Sequence, residues 1–317
     1  MAISTTAGLR PTGEQLARSI TRSKPRYGER VIESLLLVAA CLSIVTTIGI
    51  ILSLLDGTRA FFGEIGLLDF LTGTVWTPLF ANGSYGVLPI LSGTLLVTGI
   101  AMVVAIPLGL GAALYLSEYA KPRARKILKP VLEVLAGIPT VVYGFFALSF
   151  VTPTLLQGLL GLNVGIFNAL AAGLVIGVLI IPIVASLSED ALSAVPQAMR
   201  DGALALGATR TSVARKVVLP AALSGVIASF VLALSRAIGE TMVAVIAAGS
   251  IAQLTADPRE PMQTMTAFIA QAASGDQPTG SLGYNTLFAV GALLFVITLL
   301  MNTASIRLVR RFREVYE

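Results

Sequence analysis

A chain of 317 residues with 55% hydrophobic and 12% charged residues departs from soluble globular composition, in which about a quarter of residues are charged. With a mean hydropathy of +0.86 it reads as an integral membrane protein, and the net charge of +5 does not signal nucleic acid, because the basic residues flank apolar runs instead of covering a soluble face. The absence of histidine and the single Cys41 exclude an intrachain disulfide, the common zinc sites and Ser-His or Cys-His catalytic pairs.

Residues 1–30 carry Arg10, Arg18, Arg22, Lys24, Arg26 and Arg30 with no apolar core of the kind a secretory signal needs, and are expected to form a cytoplasmic tail. Val31 to Leu55 is the first run long enough for a bilayer, which takes about 20 helical residues. Asp56 to Leu88 is mixed, with Trp76 and turn formers at Asn82-Gly83-Ser84, and is expected at the outer surface, partly interfacial. Gly93 to Leu116 is the second span; its glycines predict close packing against another helix. A basic turn follows, with Lys121, Arg123, Arg125, Lys126 and Lys129. The third span is expected over Pro130 to Val151, kinked or unwound at Pro139, with Glu133 near its cytoplasmic end and a short outer loop over 152–165. Ile166 to Leu187 is the fourth span, delivering the chain to Ser188, Glu189 and Asp190 as the polar start of a new helix. Val217 to about Ala252 is a long fifth run that is expected to tilt or project beyond the membrane, with Arg236 and Glu240 near its middle. An outer segment over 250–283 contains a possible short amphipathic helix from Met262 to Ala273, and Tyr284 to Ile306 is the sixth span.

Nineteen of the 22 basic residues fall on one side of this arrangement, which predicts six spans with both termini cytoplasmic. The predicted fold is all-α and polytopic: a basic tail at 1–30, a six-helix permease-like domain over 31–306 and a basic tail at 307–317. Within the domain, 188–216 form a cytoplasmic element. There Pro196 fixes a helix start, Gln197 to Leu206 read as helix, and Gly207 is placed to end it in a left-handed cap. Thr209 to Ser212 can start a second helix running into Val217 and Leu219-Pro220. Such a helix, turn, helix element can also be no more than a link between two spans.

Two charges inside an apolar run are costly, about 2.5–3.5 kcal/mol each on insertion scales, and usually face a pathway. Arg236 and Glu240 are one helical turn apart, so they can meet each other or grip one ligand together.

The residues of the cytoplasmic element carry a resemblance. Asp201-Gly202-Ala203, then Gly207, then Val217-Val218-Leu219-Pro220 resemble the Glu-Ala-Ala signature loop of bacterial ABC-importer permeases, with Asp201, Gly202 and Val217 departing from the usual glutamate, alanine and isoleucine. The resemblance implies a coupling helix docked in a groove of an ATP-hydrolysing partner, contacted through Asp201, Gly202, Ala203, Gly207, Leu219 and Pro220. Gly202 lowers helix propensity by about 1 kcal/mol relative to alanine, so docking contacts are expected to stabilise the helix.

Arg236-Ala237-Ile238-Gly239-Glu240-Thr241 resembles the Arg-Ala-x-Gly-Glu-Thr motif of permeases of the phosphate-specific (Pst) importer. Phe70-Leu71-Thr72-Gly73 with Trp76 and Pro78, Leu88 to Leu95, and Leu135 to Gly144 agree, and together look like the PstC type. The resemblance spans roughly residues 30–310. It implies phosphate import by a chain that performs no chemistry and carries no cofactor. The implied partners are a PstA-like second permease, two PstB-like ATPase subunits that hold ATP and Mg, and a PstS-like periplasmic phosphate-binding protein, all at the bacterial inner membrane. No Walker A sequence is present in this chain.

The chemistry of the motif fits that expectation. Arginine's planar guanidinium offers parallel hydrogen bonds to a tetrahedral oxyanion and stays charged, which makes Arg236 the candidate phosphate contact, with Ser235 and Thr241 as possible further donors. Ser235 and Thr241 can instead bond to their own helix backbone. A carboxylate repels an anion, so Glu240 needs a reason. It can hold Arg236 and yield it to phosphate, or accept a hydrogen bond from protonated phosphate that sulfate cannot donate. The pair can also be purely structural. Other readings are a permease for a different oxyanion, a proton-coupled transporter or channel using the pair as a relay, and an intramembrane enzyme, for which the chain supplies little.

Overall fold

The computed structural model describes residues 27–80, 83–275 and 277–311. The predicted basic tail up to residue 26, Asn82 and residues 312–317 lie outside the described residues. Two compact units are distinguished, Met1–Ser53 and Leu54–Glu317. In the first, the described residues are helical and belong to α1 (Tyr27–Glu64), with Leu35, Leu42 and Val45 exposed, as lipid-facing side chains are. Helix α1 continues nine residues past the predicted end of the first span. Its Asp56, Arg59 and Glu64 are charged without being helix breakers.

The second unit holds the rest. In chain order these are α2 (Leu67–Thr72), α3 (Leu88–Tyr119), α4 (Pro122–Ala136), α5 (Thr140–Leu159), α6 (Ala169–Ser193), α7 (Gln197–Ala205), α8 (Arg210–Ala221), α9 (Leu223–Ile238), the single wide turn α10 (Ala244–Ala248), α11 (Met265–Ala273) and α12 (Leu282–Arg311). Among the described residues there is no strand, only an isolated antiparallel bridge between Trp76 and Tyr85. The predicted all-α membrane fold is what forms. Among the described residues, five helices are long and apolar enough to cross a membrane, α1, α3, α5, α6 and α12, and the bent pair α8/α9 makes a sixth if it counts as one span.

Helix α6 is the most enclosed and packs most extensively on α3. Small residues permit the approach: a methyl group on Gly173 would lie 2.6 Å from Ile100 Cβ, one on Gly177 2.8 Å from Val104 Cβ, and one on Gly109 2.6 Å from Val184 Cβ. The predicted close packing of the second span is therefore met, though two of these three glycines belong to α6. Asn168 starts α6 by accepting a hydrogen bond from the Ala171 N–H at 2.7 Å, while its amide donates to Thr152 and the Gly165 carbonyl.

Three predicted spans are corrected. The third is not Pro130 to Val151: the chain breaks at Gly137-Ile138-Pro139, and the membrane-length helix is Thr140–Leu159. Pro139 adopts an extended conformation (φ −55, ψ 133) as the residue before α5, so it separates two helices instead of kinking one. What precedes it, α4, has no buried residue, and the predicted outer loop over 152–165 is helical to Leu159. The fourth span continues through Ser188, Glu189 and Asp190, which therefore do not start a new helix. The fifth run is not one tilted helix. It bends by 72° between α8 and α9, just after Pro220, and ends at Gly239 before the short turn α10. Proline deprives the preceding turn of a hydrogen bond, and the wide turn at Ala214–Val218 adjoins the bend.

Beyond α10 the chain folds back. Gly249 has φ +102, a conformation that glycine adopts without strain, and the loop it opens is tied to the first turn of α6: the Ala169 N–H donates to the Glu260 carbonyl and the Leu170 N–H to the Pro258 carbonyl. The predicted amphipathic surface helix is α11, started by Thr264 and buried at Met265, Ala267 and Phe268. It packs into an aromatic cluster of Phe61, Phe70, Trp76 and Phe268, with the Trp76 and Phe268 ring centroids 4.9 Å apart. Trp76, expected near an interface, is 4% exposed in this cluster.

Candidate functional site

Arg236 occupies the last turn of α9, and Glu240 lies just beyond it, after Gly239 has ended the helix. The predicted pair forms across this break, with Arg236 Nη1 donating to Glu240 Oε2 at 2.6 Å. The Val243 N–H approaches the other carboxylate oxygen at 3.4 Å, and Thr266 on α11 donates to the Glu240 carbonyl at 2.8 Å. The Glu240 side chain is 2% exposed and the Arg236 side chain 40%. The carboxylate is thus fixed and enclosed, while the Arg236 side chain is only partly covered. An unpaired carboxylate at this depth would be costly, and Arg236 supplies its principal partner.

The two neighbours expected as extra donors are engaged differently. Ser235 donates to Asn302 Oδ1 on α12 at 2.8 Å, so it joins helices instead of bonding to its own backbone. Thr241 donates to the Gly239 carbonyl at 3.2 Å. Both sit beside the Arg236–Glu240 pair in sequence, but neither has a hydrogen bond to it.

The second group of predicted residues lies on the hairpin of α7 and α8. Pro196 precedes α7, Gly207 takes φ +83 after it, and Thr209 starts α8 by accepting from the Ser212 N–H at 3.3 Å, as the sequence predicts. Asp201 and Gly202 are exposed and Ala203 half-buried; Asp201 accepts from the Gln197 side chain at 3.0 Å. Leu219 is half-buried and Pro220 exposed, near the bend. Leu206, which composition alone would bury, is 90% exposed beside Leu204 at 43%. The hairpin thus leaves an apolar pair exposed.

Sequence reading missed what holds this hairpin. Arg200, on the inner side of α7, donates to Glu118 of α3 at 3.0 Å, to the Leu192 carbonyl at 2.7 Å and to the Val195 carbonyl. It therefore serves the open carbonyls at the end of α6 and fastens α7 to α3 at once. Glu189 is fully buried in the last turns of α6, bonded to Arg125 and, at 2.9 Å, to Lys129 of α4, and it accepts from Ser193 at 2.9 Å. Lys129 also reaches Asp190 at 2.6 Å, and the hydrogen bonds to Asp190 and then Glu189 raise its pKa. The available signal was an acidic pair following an apolar run, opposite in sign to the basic segment before α5. Among the described residues, no group of three or more metal-ligating side chains is assembled.

The chain matches the family described as binding-protein-dependent transport system inner membrane component over residues 105–314. It is 35% identical over 269 residues to a probable ABC transporter permease protein, YqgH, of Bacillus subtilis, with 84% of each chain covered. It is 32% identical over 320 residues to the phosphate transport system permease protein PstC of Haemophilus influenzae, covering 93% of this chain and 98% of that one. Identity to PstC 1 of Mycobacterium tuberculosis is 35% over 282 residues, 77% and 82% of the two chains. Among solved structures, a bacterial alginate ABC transporter aligns with a TM-score of 0.62 at 17% identity, covering 92% of this chain and 100% of that one. The inward-facing MetNI methionine ABC transporter aligns with a TM-score of 0.53 at 22% identity, over 72% and 95%. At these identities the structural likenesses speak to fold, which is that of ABC-importer permeases.

Proposed function

Because the chain belongs to the binding-protein-dependent transport system inner membrane component family, and so is a multi-pass ABC-importer permease, we propose that it passes inorganic phosphate inward across the bacterial inner membrane. In this reading it is the PstC-type half of a heterodimer with a PstA-like permease. Two PstB-like subunits supply ATP hydrolysis, with their ATP and Mg, and a PstS-like periplasmic protein delivers the anion. The permease itself catalyses no reaction.

The observation that carries the substrate is the arrangement at the end of α9. A buried Glu240 carboxylate holds one guanidinium nitrogen of a half-open Arg236, inside the Arg-Ala-Ile-Gly-Glu-Thr motif, in a chain whose relatives include several named phosphate permeases. Phosphate approaching Arg236 replaces the carboxylate as hydrogen-bond acceptor on part of the guanidinium while Glu240 stays within reach, so neither charge is left alone. The break at Gly239 places this exchange at the C-terminal end of a helix, whose open carbonyls favour the guanidinium and cannot donate to an anion, so Arg236 supplies the donors. The hairpin of α7 and α8 is the ATPase contact, with Leu204 and Leu206 entering the partner groove around Asp201, Gly202 and Ala203.

The test is ATP-dependent uptake of labelled phosphate into vesicles that hold the complete complex, wild type against Arg236→Gln, with assembly checked by co-purification of the ATPase. Loss of uptake in an assembled complex supports the reading. Undiminished uptake makes the pair structural and moves the site elsewhere, and uptake of sulfate in place of phosphate would show a different oxyanion to be the cargo.

A further inference from the structure

Helix α4 stands apart from the other elements of the second unit. It is 15 residues long, amphipathic, and has no buried residue. One stripe of it, Ile127, Val131 and Val134, is 65%, 50% and 70% exposed, with Leu128 and Leu135 alongside at 39% and 38%. Residues spaced by four and three share a helix face, so these form one apolar surface. Lys121, Arg123 and Lys126 are exposed at its start and along its margin, without an ion pair among the described residues. On its opposite side Arg125 and Lys129 hold Glu189 and Asp190 of α6. Three residues beyond Asp190 α6 ends, and Arg200 then clamps its last carbonyls to α7.

We infer that α4 is an anionic-lipid contact: its apolar stripe lies among acyl chains at the cytoplasmic leaflet, Arg123 and Lys126 bind lipid phosphate groups, and the Arg125–Glu189–Lys129 joint passes its position to the coupling hairpin. Charge decides the occupant. An apolar helix face flanked by Arg123 and Lys126, which make no ion pair among the described residues, complements a surface of negatively charged headgroups over hydrocarbon, although the exposed Glu133 lies two turns beyond Lys126 on the same margin. A protein partner would be expected to bring carboxylates to Arg123 and Lys126 and to leave no reason for the stripe to meet their long aliphatic stems at the polar boundary. The two cations that are consumed, Arg125 and Lys129, point at a fully buried glutamate, so a shift of α4 on the membrane surface is felt at the end of α6 and not dissipated in a loop. The inference relies on the family assignment and on basic residues marking the cytoplasmic side, and it is independent of the phosphate reading.

The experiment uses the complete complex in nanodiscs, with a single fluorescent label at Val134→Cys in a Cys41→Ser background. Brominated phosphatidylcholine and brominated phosphatidylglycerol are compared as quenchers in otherwise identical bilayers. Quenching is expected from both, and at equal mole fraction more strongly from the glycerol lipid. In Arg123→Gln with Lys126→Gln the preference for the anionic lipid falls by about twenty-five-fold, since each cation near the surface contributes about a factor of five. The binding-protein-stimulated ATPase rate of the wild type rises when phosphatidylglycerol is added to a phosphatidylcholine disc, and that of the double variant does not. No quenching by either lipid would show that protein covers the stripe and would overturn the inference. Equal quenching by both lipids would overturn the anionic preference, and an unchanged lipid response of the ATPase in the double variant would overturn the link to the hairpin.

Discussion

The asymmetry of the Arg236–Glu240 pair makes a prediction that composition alone cannot. The two charges are 2.6 Å apart, but Glu240 is 2% exposed and Arg236 40%. Removing the arginine strands a carboxylate whose only other hydrogen bond among the described residues is from the Val243 N–H at 3.4 Å. Breaking a buried ion pair from one side costs roughly 3–5 kcal/mol, and the partial opening of Arg236 to its surroundings puts Arg236→Gln at the low end, about 3 kcal/mol. Glu240→Gln leaves a guanidinium that can be solvated and an amide that still accepts from Val243, so about 1 kcal/mol is expected. The double replacement removes the stranded charge and is expected to cost about 1 kcal/mol as well, giving a coupling of roughly 3 kcal/mol across the cycle. Thermal unfolding of the purified complex in nanodiscs, read by the loss of the folded permease, gives the order. Glu240→Gln proving as damaging as Arg236→Gln would refute the reasoning, because it would mean that the guanidinium, not the carboxylate, is the enclosed charge.

Leu206→Asp, at a side chain 90% exposed, should leave folding intact and reduce ATPase co-purification at least tenfold, since it puts a carboxylate in an apolar docking contact. Gly249→Ala combines φ +102 with a methyl group 2.9 Å from Pro261 Cβ, and is expected to destabilise by about 1–3 kcal/mol, seen as faster proteolysis of the loop that leads to α11. Arg259 bonded to Asp257 pushes the Asp257 carboxyl from 3.8 down to about 2, so the order this pair lends to its loop is present above pH 3.8 and lost as pH falls toward about 2. Limited proteolysis of that loop should rise across this window in the wild type and be flat in Asp257→Asn.

Local chemistry carried most of what was legible. Pro196, Gly207 and Thr209 each act through the main chain of two or three neighbours, and each sits where such constraints place it. The Arg236–Glu240 pair was visible because helical spacing brings residues four apart together, although the helix ends between them. Hydropathy could not show that end. Gly239-Glu240 interrupts the hydrogen-bond ladder within an apolar stretch, and an average over side chains is blind to a main-chain turn. The same averaging merged the end of α4 with the start of α5, although the apolar residues of α4 line one exposed face and those of α5 belong to a membrane span. Glu189 was read as part of the polar start of a new helix because its two cations lie sixty residues and more away in sequence, on an element whose position only packing decides.

The seam between α3 and α6 sets a schedule for synthesis. The small-residue face that α3 turns toward α6 is complete once Tyr119 has been made, yet Gly173 and Gly177, which receive Ile100 and Val104, come more than fifty residues later. At about 5–20 residues per second the ribosome takes roughly 3–10 seconds to supply them. Throughout that interval the residues that receive Ile100 and Val104 do not yet exist. An insertase that holds α3 until α6 arrives would therefore speed assembly without making a single contact found in the finished protein.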